Sequence, residues 1–137
     1  MAEALIKEKF DEGHFEAAQK KFLAPDTLQR FLYAREFKIK ETYEMYKNSV
    51  QWNIEYKPEE IQAESIKGLL MSQRWITFGR DKKGRATLIV RPRFHNVNEF
   101  PMDQMLRYGI FMVEKAIRLT ESYGHKQYVV ILDRHGV

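Results

Sequence analysis

The sequence predicts an α/β protein in which helices come first and an incomplete sheet follows. Apolar residues recur at helical spacing through most of residues 1–72, whereas short β-favouring runs occur only from residue 73 onward. A long amphipathic stretch then joins a hairpin to a further apolar run, as a crossover helix joins parallel strands. We therefore expect a helical region over 1–72 and the first part of an α/β lobe over 73–137.

The helical region contains several amphipathic segments separated by breaking residues. Gly13 is expected to end the first helix, and Pro25 to end the second. Asp26, with Gln29 three residues later, is expected to cap the third helix. The predicted helices span residues 2–9, 15–23, 26–35, 40–56 and 64–71, and another short helix is expected to start at Pro58 with Glu59 and Glu60.

The remainder of the chain has the pattern of a sheet with one covering helix. Residues 75–78 and 86–90 predict a hairpin, and 102–123 carry the longest helical periodicity in the chain, ended by Gly124. The apolar run 128–132 is typical of a central strand that is covered on both faces. Only four residues follow Asp133, so we expect either a fragment of a longer domain or a sheet that another chain completes.

Composition excludes several classes of protein. The chain is 44% apolar and 31% charged, which is typical of a globular protein. Its apolar runs are far shorter than the roughly 18 residues of a membrane span, and no signal peptide is recognisable. The absence of cysteine rules out disulfides, thiolate metal sites and thiol nucleophiles, and it fits a reducing compartment.

Positive charge is concentrated between Ser72 and His95. This segment has a net charge of +6, whereas the rest of the chain sums to −2. Three interpretations remain open at this point: a solvated turn, a contact with an anionic membrane, and a nucleic-acid site with aromatic stacking platforms. The basic residues are Arg74, Arg80, Lys82, Lys83, Arg85, Arg91 and Arg93, and the aromatic ones are Trp75, Phe78 and Phe94.

Arg35 is the other residue that could bind an anion. It shares a helical face with Leu28, Phe31 and Leu32, so its guanidinium is expected to start from the buried stripe of that helix. A buried arginine needs a partner, which could be a structural carboxylate or the phosphate or carboxylate group of a ligand. The side chain could also extend to the surface. We find no histidine spacing typical of a metal site and no nucleophile motif, so we expect neither metal, cofactor nor catalytic residue.

Four motifs resemble those of the CRAL-TRIO lipid-binding family. Residues 26–37, DTLQRFLYAREF, are similar to the family's DxxLLRFLRARKF, and residues 81–85, DKKGR, to its DKxGRPV. Met45 and Trp52 resemble its M…W helix, and residues 112–133 its E(K/R)AIR…VVILD segment. The chain departs from these patterns at Tyr33, Glu36 and Ala86, which stand in place of an arginine, a lysine and a proline.

The resemblance implies an N-terminal helical tripod followed by the first strands and crossover helix of a mixed sheet. It also implies that Arg35 contacts the headgroup phosphate, as the second arginine of the family's RAR motif does in members that bind phosphatidylinositol. Thr77 and Leu88 occupy positions where phosphatidylcholine-binding members carry tyrosines, which favours an inositol lipid over a choline lipid.

These observations together predict a phospholipid-binding and transfer protein rather than an enzyme. Phosphatidylinositol is the expected ligand, and the expected location is cytoplasmic and peripheral to membranes. The residues expected to contact an anionic membrane are Arg80, Lys82, Lys83, Arg85, Arg91 and Arg93. Self-association through the unfinished sheet edge is also expected, nucleic acid is not, and the alternative is a protein-interaction module of a trafficking or signalling protein.

Overall fold

The computed structural model describes residues 1–137, apart from the side chains at positions 12 and 13. The chain forms two compact units, Met1–Lys57 and Pro58–Val137. The predicted boundary between a helical region (1–72) and an α/β lobe (73–137) remains a prediction. Within the second unit, residues 58–71 pack with the long helix of that unit.

The first unit is entirely helical. Tyr46 and Val50 of its longest helix are buried with Ile6 and Phe22 from the two N-terminal helices. The Tyr46 hydroxyl donates to the Phe22 carbonyl at 3.1 Å, and burial, with a smaller contribution from Tyr43, raises the pKa of Tyr46 to about 12. The four helices are α1 (Ala2–Lys9), α2 (Glu12–Phe22), α3 (Pro25–Ala34) and α4 (Ile39–Tyr56).

Two predicted helix starts are wrong. Helix α2 begins at Glu12, before Gly13, because the Asp11 side chain accepts a hydrogen bond from the backbone N–H of His14. Helix α3 begins at Pro25 with Ala24 as its N-cap, so Asp26 lies in the first turn and does not cap the helix. Proline is well suited to the first helical position because its missing N–H would have no partner there.

The second unit confirms the predicted α/β class. Strands β1 and β2 form the expected antiparallel hairpin, and β3 pairs with β2 in parallel, giving the order β1-β2-β3. Helix α6 makes the crossover from the hairpin to β3, and Gly124 follows it with φ +76°. The elements are two 3₁₀ turns (Pro58–Glu60 and Ala63–Ile66), α5 (Lys67–Met71), β1 (Trp75–Arg80), β2 (Ala86–Val90), a 3₁₀ turn (Pro92–Phe94), α6 (Met102–Ser122) and β3 (Val129–Leu132).

Helix α6 covers one face of the sheet. Tyr108, Met112 and Ala116 are buried with Leu88 of the central strand and Leu69 of α5. Close packing here requires a small residue on the helix. A Cβ at Gly109 would lie only 3.3 Å from the Trp75 indole, so a side chain at this position would require the indole to shift by a few tenths of an ångström.

Among the described strands, residues 129–132 lie at an edge of the sheet, so the predicted central place with cover on both faces stays a prediction for a completed sheet. The central strand is β2, and β3 lies at an edge. Val130, Ile131 and Leu132 are 52%, 49% and 55% exposed. An apolar run defines a strand but not its neighbours, which depend on pairing with a segment some 40 residues away.

Tyr108 connects α6 by hydrogen bonds to Trp75, the first residue of β1. Its fully buried hydroxyl donates to the Trp75 carbonyl and accepts from the Trp75 backbone N–H, both at 2.8 Å. Both backbone polar groups of Trp75 are therefore satisfied by one side chain.

Tyr108→Phe should lower the free energy of unfolding of the second unit by about 1–3 kcal/mol, because it leaves a backbone donor and acceptor without partners. Urea denaturation followed by circular dichroism measures the change. Tyr128→Phe is the matched control, since its hydroxyl has no hydrogen-bond partner among the residues described, and it should change stability little. Equal effects of the two variants would contradict this role of Tyr108.

Candidate functional site

Arg35 lies at the surface of the first unit, not on a buried helical face as predicted. Helix α3 ends at Ala34, so Arg35 is its C-cap, with φ −121° and ψ 22°, and leaves the stripe formed by Leu28 and Phe31. Within the described part of the chain, its guanidinium contacts only the Ala34 carbonyl, at 3.5 Å. The side chain is thus available to an external anion.

The turn of the β1–β2 hairpin is organised by Asp81. Its carboxylate accepts hydrogen bonds from the backbone N–H of Lys83 at 3.0 Å and of Arg85 at 2.8 Å. The Arg85 guanidinium also donates to it through Nε at 2.8 Å, and its Nη2 lies 2.7 Å from the same carboxylate. These bonds, led by the one from the Arg85 side chain, hold the pKa of Asp81 below its ordinary value. Arg85 is therefore a structural partner of the turn.

Other arginines of the basic segment are engaged with rings or distant groups. The Arg80 guanidinium lies 3.4 Å from the centroid of the Tyr123 ring. Arg91 donates to the Gln73 carbonyl at 2.6 Å. Arg93 lies 3.5 Å from the Asp133 carboxylate that follows β3. These three guanidinium groups of the segment are thus already in contact with other groups of the same protein.

Arg74 belongs to the interior and not to a basic surface. It is only 4% exposed, forms an ion pair with Glu99 and lies over the Phe100 ring at 5.1 Å. Its role is to hold the loop before α6 against the start of β1. A charge count along the sequence includes it, but it cannot face a partner.

Lys82 and Lys83 are the cations of this segment that project freely. Both are exposed at the hairpin turn, and neither ammonium has a partner among the residues whose side chains are described. Beside the hairpin lies a shallow cavity of about 450 Å³ lined by Arg85, Lys126, Gln127 and Tyr128. Sequence reasoning missed the last three, because only the crossover topology brings the start of β3 to the hairpin turn.

The uncovered apolar surface of β3 is the other prominent feature of the second unit. Val130 is aligned with Leu88, on the face that α6 covers further along the sheet. Ile131 is aligned with Ile89 and, through it, with Ile76 on the opposite face. The strand thus presents apolar side chains on both faces, together with an unpaired hydrogen-bonding edge.

No helix among the described residues combines the length and apolar character needed to cross a bilayer. In the same part of the chain, His, Asp and Glu side chains form no group of three that could hold a metal ion.

Comparison with known proteins finds one family model and several relatives that resemble part of this chain. The CRAL/TRIO domain family model matches residues 70–137. Three Arabidopsis thaliana proteins are similar to this chain: Patellin-2, 33% identical over 96 residues; Patellin-1, 31% over 96; and Patellin-3, 44% over 100. Each match covers 66% of this chain. The chain spans only 14%, 17% and 20% of the lengths of these relatives.

Asp81→Asn should lower the Tm at neutral pH and have less effect in acid. Because the pKa of Asp81 is depressed in the fold, its stabilisation is present above the ordinary value of 3.8 and is lost as the pH falls through the lowered pKa. Thermal unfolding at neutral pH and below pH 3.8 measures both effects. Glu121→Gln, which neutralises an exposed carboxylate on α6, is the control. A difference in Tm between wild type and Asp81→Asn that does not shrink in acid would contradict the assignment.

Proposed function

Because the chain belongs to the CRAL/TRIO domain family through residues 70–137, we propose that it binds a phospholipid, phosphatidylinositol, and transfers it between membranes. Membership of this family implies a lipid ligand. The family match is the observation that carries the proposal, and the apolar surface of β3 supports it, since acyl chains need such a surface. Binding would involve no covalent chemistry. In this proposal the acyl chains lie in an apolar pocket to which the exposed apolar side chains of β3 contribute.

Arg35 is proposed as the ligand of the headgroup phosphate. Two features support this role: the guanidinium is exposed, and it has no carboxylate partner among the described side chains. A guanidinium can donate two parallel hydrogen bonds to a phosphate, and such charge-assisted bonds are stronger than neutral ones. An arginine already paired with a carboxylate would have to exchange that partner first.

The hairpin turn is proposed as a transient contact with an anionic membrane on the cytoplasmic side. Lys82 and Lys83 are its principal residues, because their ammonium groups are exposed and unpaired within the described structure. The other four predicted contacts would add less, since their guanidinium groups already contact rings, carbonyls or carboxylates. They are Arg80, Arg85, Arg91 and Arg93.

A protein-interaction module is the second candidate function. The observation that favours it is the open edge of β3, where the strand of a partner could add to the sheet. The two functions differ in whether the purified protein retains a lipid.

Native mass spectrometry of the purified protein should detect bound phosphatidylinositol, and Arg35→Ala should weaken its binding roughly 10- to 100-fold, as expected for loss of a charged hydrogen bond. Arg30→Ala, which removes an exposed arginine within α3, is the control and should bind normally. Unchanged phosphatidylinositol binding by Arg35→Ala would remove the headgroup assignment. Absence of any lipid from the wild type would favour the interaction module.

Lys82→Glu/Lys83→Glu should weaken sedimentation with vesicles containing phosphatidylserine by roughly 30-fold or more, given about 1 kcal/mol for each cation lost. Lys115→Glu/Arg118→Glu makes the same charge change on exposed positions of α6 and should have a smaller effect. Equal losses in both pairs would mean that net charge, and not the hairpin turn, governs binding.

A further inference from the structure

The turn between α3 and α4 exposes an aromatic pair. Tyr33 and Phe37 are 62% and 55% exposed, and their rings meet edge to face with centroids 5.1 Å apart. Ile39, at the start of α4, is 63% exposed. We call residues 33–40 the aromatic turn. Three large apolar side chains so close together on one turn form a surface patch that water does not favour.

Backbone hydrogen bonds give the aromatic turn a defined shape. The N–H of Phe37 donates to the Leu32 carbonyl at 2.9 Å, and the N–H of Glu36 to the Tyr33 carbonyl at 3.2 Å, which is the Schellman pattern. Glu36 and Phe37 have φ values of +51° and +60°. Glycine is the usual residue in this left-handed conformation, and other residues adopt it at a cost in free energy. The turn therefore holds Phe37 outward despite backbone strain.

The aromatic turn is also strongly basic. Residues 33–40 include three cations and only one carboxylate, for a net charge of +2. The carboxylate, on Glu36, lies 3.9 Å from the Lys38 ammonium, and both side chains are largely exposed, so this pair neutralises little. The cations are Arg35, Lys38 and Lys40. An apolar patch with cations beside it in the sequence complements an anionic bilayer, whose headgroups attract the charges while its interface accepts the aromatic side chains.

We infer that the aromatic turn is a membrane anchor that inserts Tyr33 and Phe37 into the interface of an anionic bilayer. The tyrosine ring suits this position because its body is apolar and its hydroxyl is polar. Arg35, Lys38 and Lys40 then lie at the level of the lipid phosphates. This anchor is separate from the hairpin lysines and does not require a lipid in the pocket. It adds to the proposed function by placing Arg35 where phospholipid headgroups are presented.

Tyr33→Ser/Phe37→Ser should reduce sedimentation with vesicles of phosphatidylcholine and phosphatidylserine by roughly tenfold or more, since both rings lose their burial in the interface. Trp52→Ser is the matched control, because Trp52 is an exposed aromatic of the same unit, stacked on Tyr56. It should bind within about twofold of wild type if the effect is specific to the turn. Wild-type binding by Tyr33→Ser/Phe37→Ser would overturn the inference.

A site-specific probe tests insertion directly and separates it from binding through the hairpin. Because the chain has no cysteine, Ile39→Cys can be labelled with a polarity-sensitive dye, with the exposed Met71→Cys as the control position. Added vesicles should shift the emission at position 39 to the blue and leave position 71 unchanged, also in a Lys82→Glu/Lys83→Glu background. An unshifted emission at position 39, or a shift that depends on protein concentration and occurs without vesicles, would overturn the inference; the latter would mean that a second copy covers the turn.

Discussion

One buried hydroxyl determines how the second unit is assembled. Tyr108 satisfies both backbone polar groups of Trp75 and so holds α6 over the start of the sheet. Gly109 permits the indole to lie against the helix at that point. With α6 fixed, its C-terminal end delivers the chain to the far side of β2, and β3 becomes the edge strand. The surfaces of the hairpin turn and of β3 both follow from this placement, since neither is covered by α6.

Much of the architecture could be read from the sequence, because helices and hairpins are determined by local patterns. The periodicity of residues 102–123 and the turn residues of the hairpin predicted α6, β1 and β2 within a few positions. The exposure of Arg35 could not be read in this way. Periodicity places a residue on a face only while the helix continues, and α3 stops one residue earlier. The strand beside which β3 lies could not be predicted either, because strand pairing depends on contacts between segments distant in sequence.

The charge available to a partner also could not be predicted from the sequence alone. A count along the chain makes residues 72–95 a block of +6, yet folding brings Glu99 to Arg74 and Asp133 to Arg93 from outside that block. What remains accessible is a pair of lysines at one turn. The shorter basic stretch at residues 33–40 was overlooked because the first unit as a whole does not stand out in charge. Exposure and pairing, which only the fold decides, determine whether a cation is available to a partner.

The placement of the two tryptophans has a practical consequence. Trp52 lies in the first unit, partly exposed and stacked on Tyr56, whereas Trp75 lies in the second, against Tyr108 and Gly109. Each unit thus carries a single intrinsic fluorophore in a different environment. Replacing one tryptophan at a time makes the emission of the other a reporter of one unit alone. Whether the two units melt cooperatively or in separate transitions can then be decided optically, without dividing the chain.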